Sequence, residues 1–227
     1  MSRSDGKVQM LVPVPHCRYC YKPISKDFET SRMCYDCHKE PSLRDSLPNR
    51  LVAATLYIPE VTRGYEHNQE IIELKERGRF SKEYAEILVK VLIKEDIDIS
   101  DGVIVPIPQT KAREGRTGPL ALADSLSGLT DLHVRECLSF NRPVRRQKKL
   151  HKDDRTDNML GAMTAERWGD NSRVLLVDEV MTSGAAIREG TRALMAAGAQ
   201  ETIGVIAARD AGIRSLEHAG VVKRVEN

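Results

Sequence analysis

The sequence contains few aromatic residues and no long apolar run, and neither sign of charge dominates it. Phe, Trp and Tyr make up 4% of its 227 residues, so a stacking platform for single-stranded nucleic acid is not expected. No apolar stretch approaches the roughly 18 residues of a membrane-spanning helix, and residues 8–14 are too short and too rich in proline for a signal peptide. The formal net charge of +2 neither requires nor excludes nucleic acid. We therefore predict a cytoplasmic protein with no membrane partner.

Cysteine is scarce, but four of the five cysteines form two C-x-x-C pairs with thirteen residues between them. These four are Cys17, Cys20, Cys34 and Cys37. Two thiolates from each of two short loops suit one tetrahedral zinc ion, which predicts a structural zinc ribbon at residues 16–40. Two disulfides are the alternative, which a chain without an export signal disfavours. His16 and His38 flank the pairs and are interpreted as bystanders, and Cys137 as a buried core residue.

Strands alternate with helices through the rest of the chain. Apolar runs predict strands at 51–57, 103–105, 132–138, 174–177 and 202–207, and helical spacing predicts helices at 70–75, 82–94, 120–126 and 186–197, the last with Gly198 as its C-cap. This order indicates an α/β fold with a parallel sheet, whose ligands bind beyond the carboxyl ends of the strands. We predict two units: residues 1–48 as lead-in, ribbon and linker, and residues 49–227 as the α/β domain.

The run Val174–Ala186 carries the most information about function. Four apolar residues predict a buried parallel strand, and Asp178 and Glu179 follow it directly. A Thr-Ser-Gly turn and the start of a helix come next, where free backbone amides and the helix dipole favour a phosphate group. The two acids call for hydroxyls or a divalent cation beside that phosphate. A sugar 5-phosphate meets both requirements, whereas the bland alternative is a pair of solvated acids at a strand end.

Two further segments suggest anion chemistry. Residues 103–113 include Pro106-Ile107-Pro108 and then Lys111 and Arg113, whose charge could neutralise part of a pyrophosphate. The alternative is a strand that the prolines stop. Residues 142–155 contain seven Lys or Arg and two acids, which is typical of a solvated face. A nucleic-acid-binding patch is a competing interpretation of this basic run.

The run Val174–Ala186 resembles the phosphoribosyl pyrophosphate (PRPP) motif of type I phosphoribosyltransferases. The resemblance implies that fold for residues 49–227 and catalytic roles for Asp178 and Glu179 at the ribose hydroxyls. It also implies three sets of binding residues. The 5-phosphate would be held by Met181, Thr182, Ser183, Gly184 and Ala185. The pyrophosphate would be held in a strained turn by Pro106, Ile107, Pro108, Lys111 and Arg113. A flexible hood over PRPP would include Gln147, Arg155 and Asn158.

Together with the ribbon, three further segments resemble the competence protein F (ComF) family of amidophosphoribosyltransferase-like proteins. These segments are Ile71…Leu74-Lys75…Gly78, Val105–Pro108 and Gln147…Leu150…Arg155…Asn158. The chain departs from the family at Glu179, where Asp is usual, at Ala186, where Thr is frequent, and at residues 116–120, which lack an Asn-Gln pair.

The resemblance implies phosphoribosyl transfer from PRPP–Mg²⁺ to an unknown acceptor with release of pyrophosphate. Because dimers are common among relatives, it also allows a homodimer. The alternative is a binding module for DNA uptake or nucleotide sensing, which would contact nucleic acid through the ribbon and the basic run at 142–155. Glu179 and the missing Asn-Gln pair at 116–120 are the two departures that bear on whether transfer activity is retained.

Overall fold

The computed structural model of the protein describes residues 15–24, 31–58, 66–109, 118–144, 158–167, 173–212 and 216. The strands are β1 (Arg50–Tyr57), β2 (Gly102–Pro106), β3 (Leu138–Phe140), β4 (Met163–Ala165), β5 (Arg173–Met181) and β6 (Glu201–Asp210). The helices are α1 (Tyr35–Lys39), α2 (Pro41–Asp45), α3 (Glu66–Arg77), α4 (Ser81–Lys94), α5 (Pro119–Thr130) and α6 (Ala185–Ala196).

Four strands form a parallel sheet in the order β1-β6-β5-β2. Helices α3, α4 and α5 pack on this sheet. Helix α6 packs between the sheet and the antiparallel strand pair β3–β4. Because helices cover its central strands, residues 174–177 of β5 are fully buried. The predicted α/β class and parallel sheet are therefore confirmed, and each predicted helix overlaps an observed one.

The strand predicted at residues 132–138 is wrong. This segment makes one parallel bridge to the sheet, in which the Ile104 amide donates to the His133 carbonyl and the Arg135 amide donates to the Ile104 carbonyl. The chain then leaves the sheet, because β3 begins at Leu138 and pairs with β4 instead. The C-cap of α6 is Ala197 rather than Gly198, which follows it with a φ of +104°.

The cysteine ribbon packs directly against the sheet. Its four paired cysteines, Tyr21 and Ile24 belong to the same hydrophobic cluster as the strands. The predicted linker contains the short helix α2, and Leu47 after it is buried. The division of the chain at residue 48 stays a prediction. In the described part of the chain, no helix is both long enough and apolar enough to cross a membrane.

Candidate functional site

The acid pair lies inside β5 rather than after its end. The sequence predicted a strand at 174–177, but β5 continues through Asp178 and Glu179 to Met181, because β6 is long enough to pair with it as far as Arg209. The neighbour on the other side, β2, stops pairing at Pro106, opposite Val177. The acids therefore lie where β2 leaves the sheet, which is the edge at which parallel sheets bind ligands.

Both acids are buried, and their protonation is coupled. Burial raises the pKa of Asp178 well above its ordinary value, and the neighbouring charge of Glu179 raises it further. Burial also opposes ionisation of Glu179, but the Lys75 ammonium and a hydrogen bond with Asp178 outweigh it and lower the pKa of Glu179. Lys75 Nζ lies 2.5 Å from Glu179 Oε1. The two pKa shifts run in opposite directions, so a proton added to the pair goes to Asp178 before Glu179, and the Lys75 ammonium favours the ionised form of Glu179.

Three residues near Glu179 were not among the predicted site residues. Lys75 comes from α3, where the buried positions Ile71 and Leu74 turn the helix so that the next residue reaches the sheet edge. At Gly118, a Cβ atom would lie 2.4 Å from Gln109 Nε2 and 3.4 Å from Glu179 Oε2, and the φ of +57° would strain any residue other than glycine. Lys75 lies in the Leu74-Lys75 segment on which the sequence resemblance partly rests, and this segment was the sequence signal for it. Spacing along the chain offered none for Gln109.

The described part of the proline turn, residues 106–109, lies beside the acids, and the strained turn that the resemblance implies stays a prediction. Ile107 donates its amide to the Val177 carbonyl at 2.9 Å, so this amide does not face a ligand. The Ile107 side chain is buried against α6, where a Cβ on Gly190 would lie 2.8 Å from it. None of residues 106–109 has a positive φ. Pro108 and Gln109 are half-buried, while Lys111 and Arg113 lie outside the described residues.

The predicted phosphate loop, Met181–Ala185, connects β5 to α6. Gly184 has a φ of +78°, which explains glycine at this position. No side chain of the described residues caps α6, and the Ala185 amide makes only a long contact of 3.4 Å with Ser183 Oγ. Among the described groups, the Ser183 and Gly184 amides have no backbone acceptor. The loop therefore presents open amides next to the positive end of the helix dipole.

The four paired cysteines form a compact group that could hold a metal ion. Their sulfur atoms all lie within 4.8 Å of one another, and Cys20 Sγ is 3.5 Å from Cys34 Sγ. A tetrahedral site with Zn–S bonds of about 2.3 Å requires sulfurs roughly 3.8 Å apart, so the donor set fits. All five cysteines are free, which contradicts the two-disulfide alternative. His38 is exposed, the His16 ring stacks on Tyr21, and Cys137 is buried as predicted.

The predicted hood is described only at its base. Arg142 donates to the carbonyls of Asn158 (3.1 Å) and Leu160 (2.9 Å), which joins the two ends of the segment. The buried Glu189 on α6 accepts a hydrogen bond from the Met163 amide at 2.9 Å and so attaches β4 to α6. Gln147, Arg155 and most of the basic run lie outside the described residues.

No protein-family model matches the chain, and no curated protein does.

Proposed function

We propose that the protein binds PRPP–Mg²⁺ and transfers its phosphoribosyl group to a nucleophilic acceptor. One observation carries the proposal: a buried carboxyl pair lies on the strand that leads directly into an amide-lined loop and an uncapped helix N-terminus. Such a loop suits a phosphate, and carboxyl groups two residues earlier suit sugar hydroxyls. A sugar phosphate carries both groups.

The charge on the acid pair favours hydroxyls over a bare cation. Because burial favours the protonated form of Asp178 and Lys75 favours the carboxylate of Glu179, the site attracts a bare cation less strongly than two free carboxylates would. Glu179 can accept a hydrogen bond from one ribose hydroxyl, and the protonated Asp178 can both donate and accept. The magnesium ion would then enter as part of the substrate, on the pyrophosphate, rather than as a resident ion of the carboxylates.

In the proposed reaction, the bond between ribose C1 and the pyrophosphate oxygen breaks, and both electrons leave on the pyrophosphate. A lone pair of the acceptor forms the new bond at C1, and the acceptor releases its proton to solvent or to the pyrophosphate. No covalent intermediate with the protein is needed, so the residues act by positioning and by charge stabilisation. Lys75, which contacts Glu179, would contribute positive charge at the ribose end of the site.

Isothermal titration with PRPP–Mg²⁺ tests the proposal. We expect the wild type to bind and Asp178→Ala/Glu179→Ala to bind at least about tenfold more weakly, which corresponds to about 1.4 kcal/mol. Asp98→Ala/Glu201→Ala is a matched control, because these acids pair with Arg173 at the opposite end of β5. Identical isotherms for the wild type and the acid-pair variant would contradict the proposal. Pyrophosphate release measured against a panel of bases and amines then separates a transferase from a sensor.

We also propose that the cysteine cluster holds zinc and that the chain is a ComF-type protein with a type I phosphoribosyltransferase fold. Four sulfur donors and no nitrogen or oxygen donor in the cluster favour zinc in a closed, structural role. Elemental analysis of the purified protein is expected to give one zinc per chain. The nucleic-acid alternative gains no support from the described residues, since most of the basic run lies outside them.

A further inference from the structure

A buried arginine joins the cysteine cluster to the phosphate loop. Arg209, on β6, is 2% exposed and lies beside Met181 in the sheet register. Its Nε donates to the Cys20 carbonyl at 2.8 Å, and its Nη1 donates to the carbonyls of Met181 and Thr182, the latter at 2.7 Å. One guanidinium group therefore contacts the backbone of a cluster cysteine and the backbone of the loop.

A second arginine completes the arrangement. Arg188, in the first turn of α6, donates from Nη1 to the Ser183 carbonyl at 3.0 Å. Three consecutive carbonyls, those of residues 181–183, thus point toward the two guanidinium groups. In a trans peptide the carbonyl and the following amide point in opposite directions. The amides of Ser183 and Gly184 are consequently turned to the other side, where the proposed 5-phosphate would bind.

The two arginines lie close together at an electrostatic cost. Burial lowers the pKa of Arg188, and the nearby charge of Arg209 lowers it further, whereas the cluster cysteines Cys20 and Cys37 act in the opposite direction. Four thiolates around a divalent metal carry a net charge of −2, which matches two guanidinium groups. A cleft between them is lined by residues of both regions, among them Cys20, Cys37, Thr182 and Ser183.

We propose that Arg209 is a positioning residue, which transmits the state of the cysteine cluster to the phosphate loop. The inference rests on the proposed function in one respect, namely that the loop receives the 5-phosphate. It adds a role for the ribbon: the metal-loaded cluster fixes the Cys20 backbone, Cys20 holds Arg209, and Arg209 orients the loop carbonyls. Since such coupling is reciprocal, phosphate binding also strengthens metal retention.

The first experiment separates the two ends of the substrate. Ribose 5-phosphate and Mg²⁺–pyrophosphate are titrated into the wild type, Arg209→Lys and Arg173→Lys. A lysine at 209 keeps the charge but cannot reach both Cys20 and the loop. We expect Arg209→Lys to lose about tenfold in affinity for ribose 5-phosphate, with little change for pyrophosphate. Arg173→Lys, at the far end of β5, is expected to match the wild type. Equal loss for both ligands would indicate general damage and would overturn the proposal.

The second experiment tests the coupling itself. Metal is removed from the wild type and from Arg209→Lys with a chelator, and the affinity for ribose 5-phosphate is measured before and after. Removal should weaken binding by about tenfold in the wild type and have much less effect in the variant, as in a double-mutant cycle. An equal effect in both proteins would contradict a route through Arg209. If the variant does not fold, the wild type alone decides: unchanged affinity after metal removal refutes the proposal.

The failure of the proposed function gives a different result. A wild type that binds neither ribose 5-phosphate nor PRPP would refute the phosphate site. In that case the amide resonances of Ser183 and Gly184 still report on the connection. We expect these resonances to shift on metal removal and in Arg209→Lys, but not in Arg173→Lys. If they stay unchanged in the first two samples, the connection is refuted as well.

Discussion

The substitution Asp178→Asn is expected to stabilise the protein at neutral pH while it weakens ligand binding. Asp178 Oδ1 accepts a hydrogen bond from the Glu179 backbone amide at 2.8 Å, and the Asp178 carboxyl is also hydrogen-bonded to the Glu179 side chain. Asparagine can make both hydrogen bonds, since its carbonyl oxygen accepts and its amide group donates. It therefore reproduces the protonated form of Asp178 without a group that ionises.

The sign of the effect and its largest possible pH slope follow from the direction of the pKa shift. Burial raises the folded-state pKa of Asp178 above the ordinary value of 3.8. Above pH 3.8 the unfolded chain loses this proton while the folded protein keeps it. The folded state thus loses stability as the pH rises, by at most about 1.4 kcal/mol per pH unit, until the pH passes the folded pKa. Asp178→Asn removes this loss, so we expect it to raise the free energy of unfolding at pH 7, by an amount that grows by up to about 1.4 kcal/mol per pH unit below the folded pKa.

Glu179 contributes with the opposite sign and in a different pH range. Its pKa is lowered below the ordinary 4.5, so its contribution is present above pH 4.5 and is lost as the pH falls through the folded pKa. The difference in stability between the wild type and Asp178→Asn from pH 5 to pH 8 therefore reports on Asp178 rather than on Glu179.

Urea unfolding at several pH values between 5 and 8, without added Mg²⁺, measures the effect. Asp98→Asn is the matched control, because hydrogen bonds from Ser100 and Arg173 lower the pKa of Asp98 to about 2. That exposed carboxylate should stabilise the fold slightly, so its removal gives a small loss that does not vary over this range. If Asp178→Asn were less stable than the wild type at pH 8, or showed the same pH slope, a protonated Asp178 would be ruled out.

Three further predictions concern the neighbouring groups. Lys75→Met should lower the free energy of unfolding by about 1 to 2 kcal/mol, measured by urea titration. This value lies between those of exposed and buried ion pairs, because the lysine side chain is 40% exposed while Glu179 is buried. Adding Glu179→Gln should restore most of the lost stability. Gly184→Ala should cost about 1 to 2 kcal/mol through its positive φ alone, and its Cβ would also meet Met181 Cε at 2.7 Å; a wild-type midpoint would contradict this. Cys34→Ser should lower metal affinity by more than about tenfold in competition with a chromophoric chelator, whereas Cys137→Ser should not.

Several features could be predicted because they depend on local sequence. The C-x-x-C spacing correctly predicted that the four cysteines lie together, because each short loop presents two thiolates on one side. The apolar run at 174–177 predicted β5, because a strand that is buried on both faces is apolar throughout, and the helix predicted at 186–197 corresponds to α6. The strand predicted at 132–138 is wrong because apolar residues alone do not specify which strand a segment pairs with.

The sequence by itself determined the cysteine cluster, the four strands of the parallel sheet, helices α3–α6, and the position of two acids just before a glycine turn. Only the tertiary structure decided that Lys75 pairs with Glu179 across 104 positions of sequence and that Arg209 links Cys20 to the loop. Both contacts join elements that are distant along the chain, and their geometry depends on how α3, the ribbon and β6 pack on one sheet. Because the charge state of Asp178 and the orientation of the loop amides depend on these contacts, neither could be read from the spacing of residues along the chain.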